Sequence, residues 1–140
     1  MRHRIALARS CGVFLLAMKT FTLAEANALI PEISKRLDDM VSARDELARR
    51  RPSIQSTLEH AGGNGGSKAA SEYAQIMRRI DAGLEFFREL GCELKDLDQG
   101  LIDFPHYRDG ELVLLCWKRG EESIRFWHAV DSGFAGRQPL

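Results

Sequence analysis

Two aspartates and two histidines late in the chain have the types and spacing of a small polar site. Asp103 precedes His106 by three residues, and His128 precedes Asp131 by three. Carboxylate oxygens and imidazole nitrogens are ligands of zinc, iron and manganese, so the two pairs could complete a divalent metal site. Because this spacing is common by chance, a structural interpretation is favoured, in which Asp103 caps a turn and His128 is oriented by a neighbour. No other cofactor is predicted.

Arg137 follows Gly133 and Gly136 in a tail that is otherwise poor in charge. Its guanidinium could clamp a carboxylate or phosphate with two parallel hydrogen bonds. The favoured alternative is that it pairs with Asp103 or Asp131 and fixes the tail. The ligand-binding hypothesis therefore places a polar site at the edge of the sheet, formed by Asp103, His128, Asp131 and Arg137.

The cysteines predict neither a disulfide framework nor a zinc knuckle. Cys11, Cys92 and Cys116 are odd in number and lack a C-x-x-C spacing. Cys92 follows the C-terminal end of a predicted helix, which does not stabilise a thiolate. Cys116 is predicted to lie on the opposite sheet face from His128, so a Cys–His nucleophile is disfavoured.

Length and composition indicate one folded domain. The chain has 140 residues, of which 44% are hydrophobic and 29% charged, a balance typical of globular proteins. Twenty basic residues match twenty acidic ones, so no overall positive charge favours nucleic acid as a partner. We expect a cytoplasmic protein that does not bind membranes.

The first seventeen residues differ from the rest. Arg2, Arg4 and Arg9 precede a short apolar run, which is well below the roughly 20 residues that span a bilayer. No small-x-small cleavage motif follows it. We therefore predict that residues 1–17 are a non-native or disordered extension, that the functional start is Met18, and that residues 18–140 form a single domain.

Two helices are predicted to form an antiparallel, coiled-coil-like hairpin over residues 22–91. Thr22 and Glu25 form a capping box that starts the first helix at Leu23. Three arginines followed by Pro52 are predicted to end it, which leaves a flexible, glycine-rich tip at residues 52–67. Alternating spacings of three and four predict one apolar seam per helix. The first seam is Ala26, Ile30, Ile33, Leu37, Met40 and Leu47; the second is Ala70, Tyr73, Met77, Ile80, Leu84 and Phe87.

Residues 92–140 change to the alternation of a small antiparallel sheet of three to four strands, followed by a tail. The strands are predicted at residues 92–97, 101–104, 111–117 and 123–129. A two-residue turn at Arg119 and Gly120 would place Leu115 opposite Ile124. One face, with Val113, Leu115, Trp117, Ile124 and Phe126, should meet the helices. The other, with Leu112, Leu114, Cys116 and Trp127, should be covered by the tail or by a second subunit.

The chain resembles a bacterial family known as domain of unknown function 2203, from about Lys19 to its end. The resemblance rests on Phe21-Thr22-Leu23 with Glu25-Ala26-Asn27, Leu90-Gly91-Cys92-Glu93-Leu94-Lys95-Asp96, Gly100-Leu101-Ile102-Asp103-Phe104-Pro105, Leu115-Cys116-Trp117, Phe126-Trp127-His128 and Gly133-Phe134-Ala135-Gly136-Arg137. It supports the domain boundaries but implies no activity.

The leading functional hypothesis is a non-enzymatic module that assembles with itself or with a protein partner through the helical hairpin. Apolar residues on both faces of the last two strands predict a homodimer. The alternative is a small ligand-binding protein or metal-dependent enzyme that uses the polar residues above.

Overall fold

The computed structural model describes residues 5–6, 18–60 and 64–140, with only the backbone of residues 5–6 and 64–67 and of Leu58. The predicted N-terminal extension lies outside the described residues, except for β1, Ile5–Ala6. This short strand pairs antiparallel with β2, Met18–Lys19.

The helical hairpin consists of α1, Leu23–Glu59, and α2, Asn64–Leu90. The Glu25 amide donates to the Thr22 hydroxyl over 3.1 Å, which confirms the predicted start of α1. The prediction that α1 ends at Pro52 is wrong, because the helix continues through this residue. Burial of Ile54 in the added turns helps to offset the hydrogen bond that a proline cannot donate. Most of the segment 52–67, predicted to be a flexible tip, is therefore helical, since α1 ends at Glu59 and α2 begins at Asn64.

The seam of α1 is confirmed from Ala26 to Met40, whereas the seam of α2 is largely wrong. Tyr73 and Leu84 are 44% and 51% exposed, respectively. Among residues 68–90 of α2, the buried positions are Ala69, Ile76, Gly83 and Phe87. At Gly83 the helices come so close that an added Cβ atom would lie 2.2 Å from the sulfur of Met40. The absence of a side chain at Gly83 thus allows α2 to approach α1 closely at this position.

The second half is a five-stranded antiparallel sheet in sequential order, which confirms the α+β class with more strands than predicted. The strands are β3, Glu93–Asp96; β4, Leu101–Arg108; β5, Glu111–Lys118; β6, Phe126–Ala129; and β7, Gln138–Pro139. Asp109 and Gly110 join β4 to β5 with φ angles of 51° and 83°. Two positive φ angles are the conformation of a tight type I′ hairpin turn.

β4 continues four residues beyond its predicted end because Pro105 fits at that position. The Pro105 carbonyl accepts a hydrogen bond of 2.8 Å from the Phe21 amide. In a strand, the N–H and C=O of one residue point to the same side. The missing N–H of Pro105 therefore faces away from β5, and no ladder bond is lost.

The predicted register of β5 and β6 is wrong by three residues, since Leu115 pairs with Trp127 rather than Ile124. Residues 121–125, which precede β6, form hydrogen bonds outside the β5–β6 ladder. The side chain of Glu121 accepts from the Lys118 amide over 2.8 Å, and the Ile124 amide donates to Asn27 of α1 over 2.8 Å. An odd shift exchanges the two faces of a strand.

The helices cover one sheet face, and the C-terminal tail lies on the other. The helix-facing core includes Ile102, Phe104, Leu115, Trp117, Ile124 and, because of the register, Trp127 instead of Phe126. On the outer face the tail passes through a short 3₁₀ turn, Phe134–Gly136, before it pairs with β6. Among the described residues, no helix is both long and apolar enough to cross a bilayer.

Candidate functional site

Three neighbouring strands direct Asp103, Cys116 and His128 to one place on the outer face of the sheet. Asp103 of β4 and Cys116 of β5 are directly paired across the ladder. His128 of β6 pairs with Leu114, two residues from Cys116 and on the same face. The three side chains are buried, and their donor atoms all lie within 4.8 Å of one another.

His128 is held by a hydrogen bond at each ring nitrogen. Its Nδ1 lies 2.8 Å from the Ala129 carbonyl. A carbonyl only accepts, so Nδ1 carries a hydrogen. Nε2 lies 3.1 Å from each carboxylate oxygen of Asp103. Because two lone pairs would repel, a proton must lie between the ring and the carboxylate.

Cys116 is a protonated thiol at neutral pH. Burial, followed by the negative charge of Asp103, raises the pKa of the Cys116 thiol to about 12. The prediction that Cys116 and His128 lie on opposite faces is wrong, because the register shift brings both to the outer face. A Cys–His nucleophile is nevertheless disfavoured, since the thiolate is the reactive form and the site suppresses it.

A cavity of about 170 Å³ adjoins the cluster. Its walls include Lys95 of β3 and Ser132, Gly133 and Phe134 of the tail. The tail therefore covers the three polar side chains on the outer side of the cavity. Asp103, Cys116 and His128 together direct two oxygen atoms, one sulfur and one nitrogen at this cavity.

His106 and Asp131 are not part of this cluster. His106 lies on the helix-facing side of β4, where its Nδ1 is 2.7 Å from the Phe21 carbonyl. It connects the segment before α1 to the sheet. Asp131 is exposed in the turn after β6. Of the four metal ligands proposed from sequence, the structure thus brings together Asp103 and His128.

Arg137 fixes the tail, but through a partner that the sequence analysis did not propose. Its guanidinium donates to Glu121 over 2.6 Å. It also lies 4.1 Å from the ring centre of Phe126 and 4.7 Å from that of Phe134. A guanidinium between two aromatic rings forms favourable cation–π contacts. The predicted pairs with Asp103 and Asp131 are not formed.

Cys116 is the cluster residue that the sequence analysis missed. The turn at Asp109 and Gly110 contained the necessary signal, because a two-residue Asp-Gly turn pairs residues whose numbers sum to 219. This rule places Asp103 opposite Cys116. The long loop before β6 gives no comparable signal for His128.

A second candidate is the exposed apolar row on α2, formed by Tyr73, Met77, Ile80 and Leu84. Tyr73 and Leu84 are exposed, whereas Met77 and Ile80 are partly buried. Beside Tyr73, a surface groove of about 250 Å³ extends onto α1 along Leu47 and Ile54. The apolar surface is therefore continuous across the two helices near the hairpin tip.

Comparison with models of protein families gives a match. A family model described as "Uncharacterized conserved protein (DUF2203)" matches residues 19–140. No curated protein and no solved structure matches the chain.

Proposed function

We propose that this chain, which belongs to the DUF2203 family of uncharacterized conserved proteins, is a non-enzymatic module that forms a homodimer through α2. The observation that supports this function is the exposed apolar row of Tyr73, Met77, Ile80 and Leu84. The buried row of α2 already packs in the hairpin, so the exposed row is additional to the core. Contiguous apolar surface of this kind is typical of protein–protein contacts.

The spacing of the row favours a second copy of the same helix. Its intervals of four, three and four residues are the same in both directions. An antiparallel copy therefore places Tyr73 opposite Leu84 and Met77 opposite Ile80. A two-fold axis between the copies buries the same patch on each, as isologous dimers do.

The charges beside the row are compatible with this arrangement. Arg78 and Asp81 flank it, and neither forms an ion pair within the part of the chain that the structure describes. In the antiparallel arrangement, Arg78 of one copy lies about one helical turn or less from Asp81 of the other. The symmetry repeats this contact, so two pairs of opposite charge flank the apolar centre.

Sedimentation equilibrium tests the proposal. At micromolar concentration the wild type should have twice the 15.8 kDa mass of one chain. Leu84→Lys should be monomeric, because it places a charge in the row at an exposed position where the fold loses little stability. Gln75→Lys is the matched control, since it adds the same charge to an exposed position off the row and should remain dimeric.

Two results would contradict the proposal. A monomeric wild type at 100 µM, taken as about the upper end of a specific dimer's dissociation range, excludes self-association as the function. A Leu84→Lys variant that dimerises as well as Gln75→Lys excludes this row as the interface.

A further inference from the structure

We propose that Asp103, Cys116 and His128 bind one divalent transition-metal ion of the zinc type. This site differs from the metal ligands expected from sequence, because Cys116 replaces His106 and Asp131. It is independent of dimer formation, since it lies on the outer sheet face rather than on α2.

The donor set points to this class of ion. Imidazole nitrogen, thiolate sulfur and carboxylate oxygen are the three ligand types that zinc accepts, and cobalt(II) occupies the same sites. Calcium and magnesium instead require sites made almost entirely of oxygen. A nitrogen and a sulfur among three donors therefore exclude these ions as the natural occupants.

The distances are close to those that coordination requires. Tetrahedral zinc with bonds of about 2.0–2.3 Å separates its ligand atoms by roughly 3.3–3.8 Å. His128 Nε2 lies 3.1 Å from the Asp103 oxygens, and all three donors lie within 4.8 Å of one another. Small side-chain rotations are enough to seat the ion. The backbone need not move, because each ligand is on a paired strand.

His128 is already oriented as a metal ligand. Its Nδ1–H donates to the Ala129 carbonyl over 2.8 Å, so Nε2 is the nitrogen directed at the cluster. Metal-bound histidines are usually fixed in this way, with the other ring nitrogen donating to a carbonyl or carboxylate. The ion would displace the proton that now joins Nε2 to Asp103, and the Cys116 thiol would also lose its proton to solvent on binding, because a metal-bound cysteine is a thiolate.

The adjoining cavity provides the remaining coordination position. Three protein ligands leave one corner of a tetrahedron open, and the cavity of about 170 Å³ can hold water or a small anion there. Lys95 also lines the cavity, where its ammonium is paired with Glu93 over 2.9 Å. The tail residues Ser132 and Gly133 limit the size of that ligand.

Cobalt titration tests the proposal. The full chain, in a Cys11→Ser background and without an affinity tag, is treated with a chelator, dialysed and titrated with Co²⁺. One Co²⁺ per chain should produce the visible bands of a tetrahedral site and the near-ultraviolet band of thiolate-to-cobalt charge transfer. Zn²⁺ should abolish both, and it should raise the melting temperature by several degrees.

Two pairs of variants locate the site. Cys116→Ser should lose the charge-transfer band, whereas Cys92→Ser should retain it. His128→Gln should bind Co²⁺ at least tenfold more weakly, whereas His106→Gln should bind as the wild type does. If Cys116→Ser does not fold, His128→Gln and Asp103→Asn decide the result by affinity. The proposal is wrong if the wild type shows no charge-transfer band, or if the variants at positions 103, 116 and 128 bind unchanged.

Discussion

Asp103 and His128 meet across an intervening strand. Their strands, β4 and β6, both pair with β5, so the two backbones are roughly 9–10 Å apart. The side chains nevertheless approach to 3.1 Å between Nε2 and the carboxylate oxygens. The contact therefore joins three strands on the face that the helices do not cover.

Removal of the carboxylate should destabilise the protein strongly. Asp103→Ala leaves His128 buried without its partner, and loss of one member of a buried charged pair costs about 3–5 kcal/mol. Urea denaturation in the presence of a chelator measures the free energy of unfolding without metal. Asp131→Ala is the control, because it removes an exposed aspartate and should change stability by about 0.5 kcal/mol or less. Equal effects of the two variants would contradict the importance of the pair.

Gly83→Ala should destabilise the protein when residue 40 is methionine and stabilise it when residue 40 is alanine. In the wild type the new methyl group meets Met40 at 2.2 Å, so overpacking outweighs the higher helix propensity of alanine and the protein loses about 1 kcal/mol or more. In a Met40→Ala background the clash is absent. The same change should then stabilise by about 1 kcal/mol. Thermal unfolding of the four proteins gives the coupling energy, and simple additivity would refute the close contact.

Cys92 should react slowly with alkylating reagents and gain reactivity steadily with pH. Burial raises the pKa of its thiol to about 12, despite the nearby Lys19 ammonium. Between pH 7 and 10 the alkylation rate should therefore rise about tenfold per unit. In the protein unfolded by urea, the alkylation rate of Cys92 should stop rising near pH 9, because the thiol then has its ordinary pKa. Mass spectrometry of the Cys92 peptide measures both rates, and an early plateau in the folded protein would contradict a raised pKa.

The same shift predicts a loss of stability at high pH. A raised folded-state pKa means that the folded protein holds its proton more tightly than the unfolded chain does. The resulting stabilisation is complete below the unfolded pKa of about 9 and is lost as pH rises toward about 12. Cys92→Ala should lose less stability than the wild type over this interval. Urea denaturation measures the free energy of unfolding at each pH. Equal losses in the wild type and in Cys92→Ala would show that the Cys92 thiol does not cause the loss.

Arg137→Ala should loosen the C-terminal tail. The substitution removes the ion pair with Glu121 and the stacking on Phe126, at a side chain that is only 11% exposed. Hydrogen exchange at residues 132–140 should accelerate at least tenfold. Arg125→Ala is the control, because that arginine is 67% exposed and lies 3.8 Å from its partner Glu122. Unchanged exchange in Arg137→Ala would show that the β7 pairing alone holds the tail.

Local signals predicted the elements of the fold but not which faces meet. The cap at Thr22 and the alternation of β5 depend on neighbouring residues, so they were visible in the sequence. α2 carries two apolar rows, and the buried row includes Gly83, whose lack of a side chain gives no hydrophobic signal. Pro52 was a misleading signal, because burial of a later residue maintains the helix.

The candidate site was predicted only in part from the sequence, for a related reason. Asp103 and His128 were recognised by residue type, but their surroundings depend on the β5–β6 register. The residues before β6 are held in part by the hydrogen bond from the Ile124 amide to Asn27, which are 97 residues apart in sequence. No local pattern encodes such a contact.

The sequential strand order has a consequence for the kinetics of folding. Each strand pairs with its neighbour in the chain, and the two helices also adjoin in sequence, so most contacts in each half are local. Some links between the halves join residues far apart in sequence, as His106 and Phe21 are 85 residues apart. Long loops cost more entropy to close, and distant contacts slow folding. We therefore expect the hairpin and the sheet to form separately and to dock in the rate-limiting step.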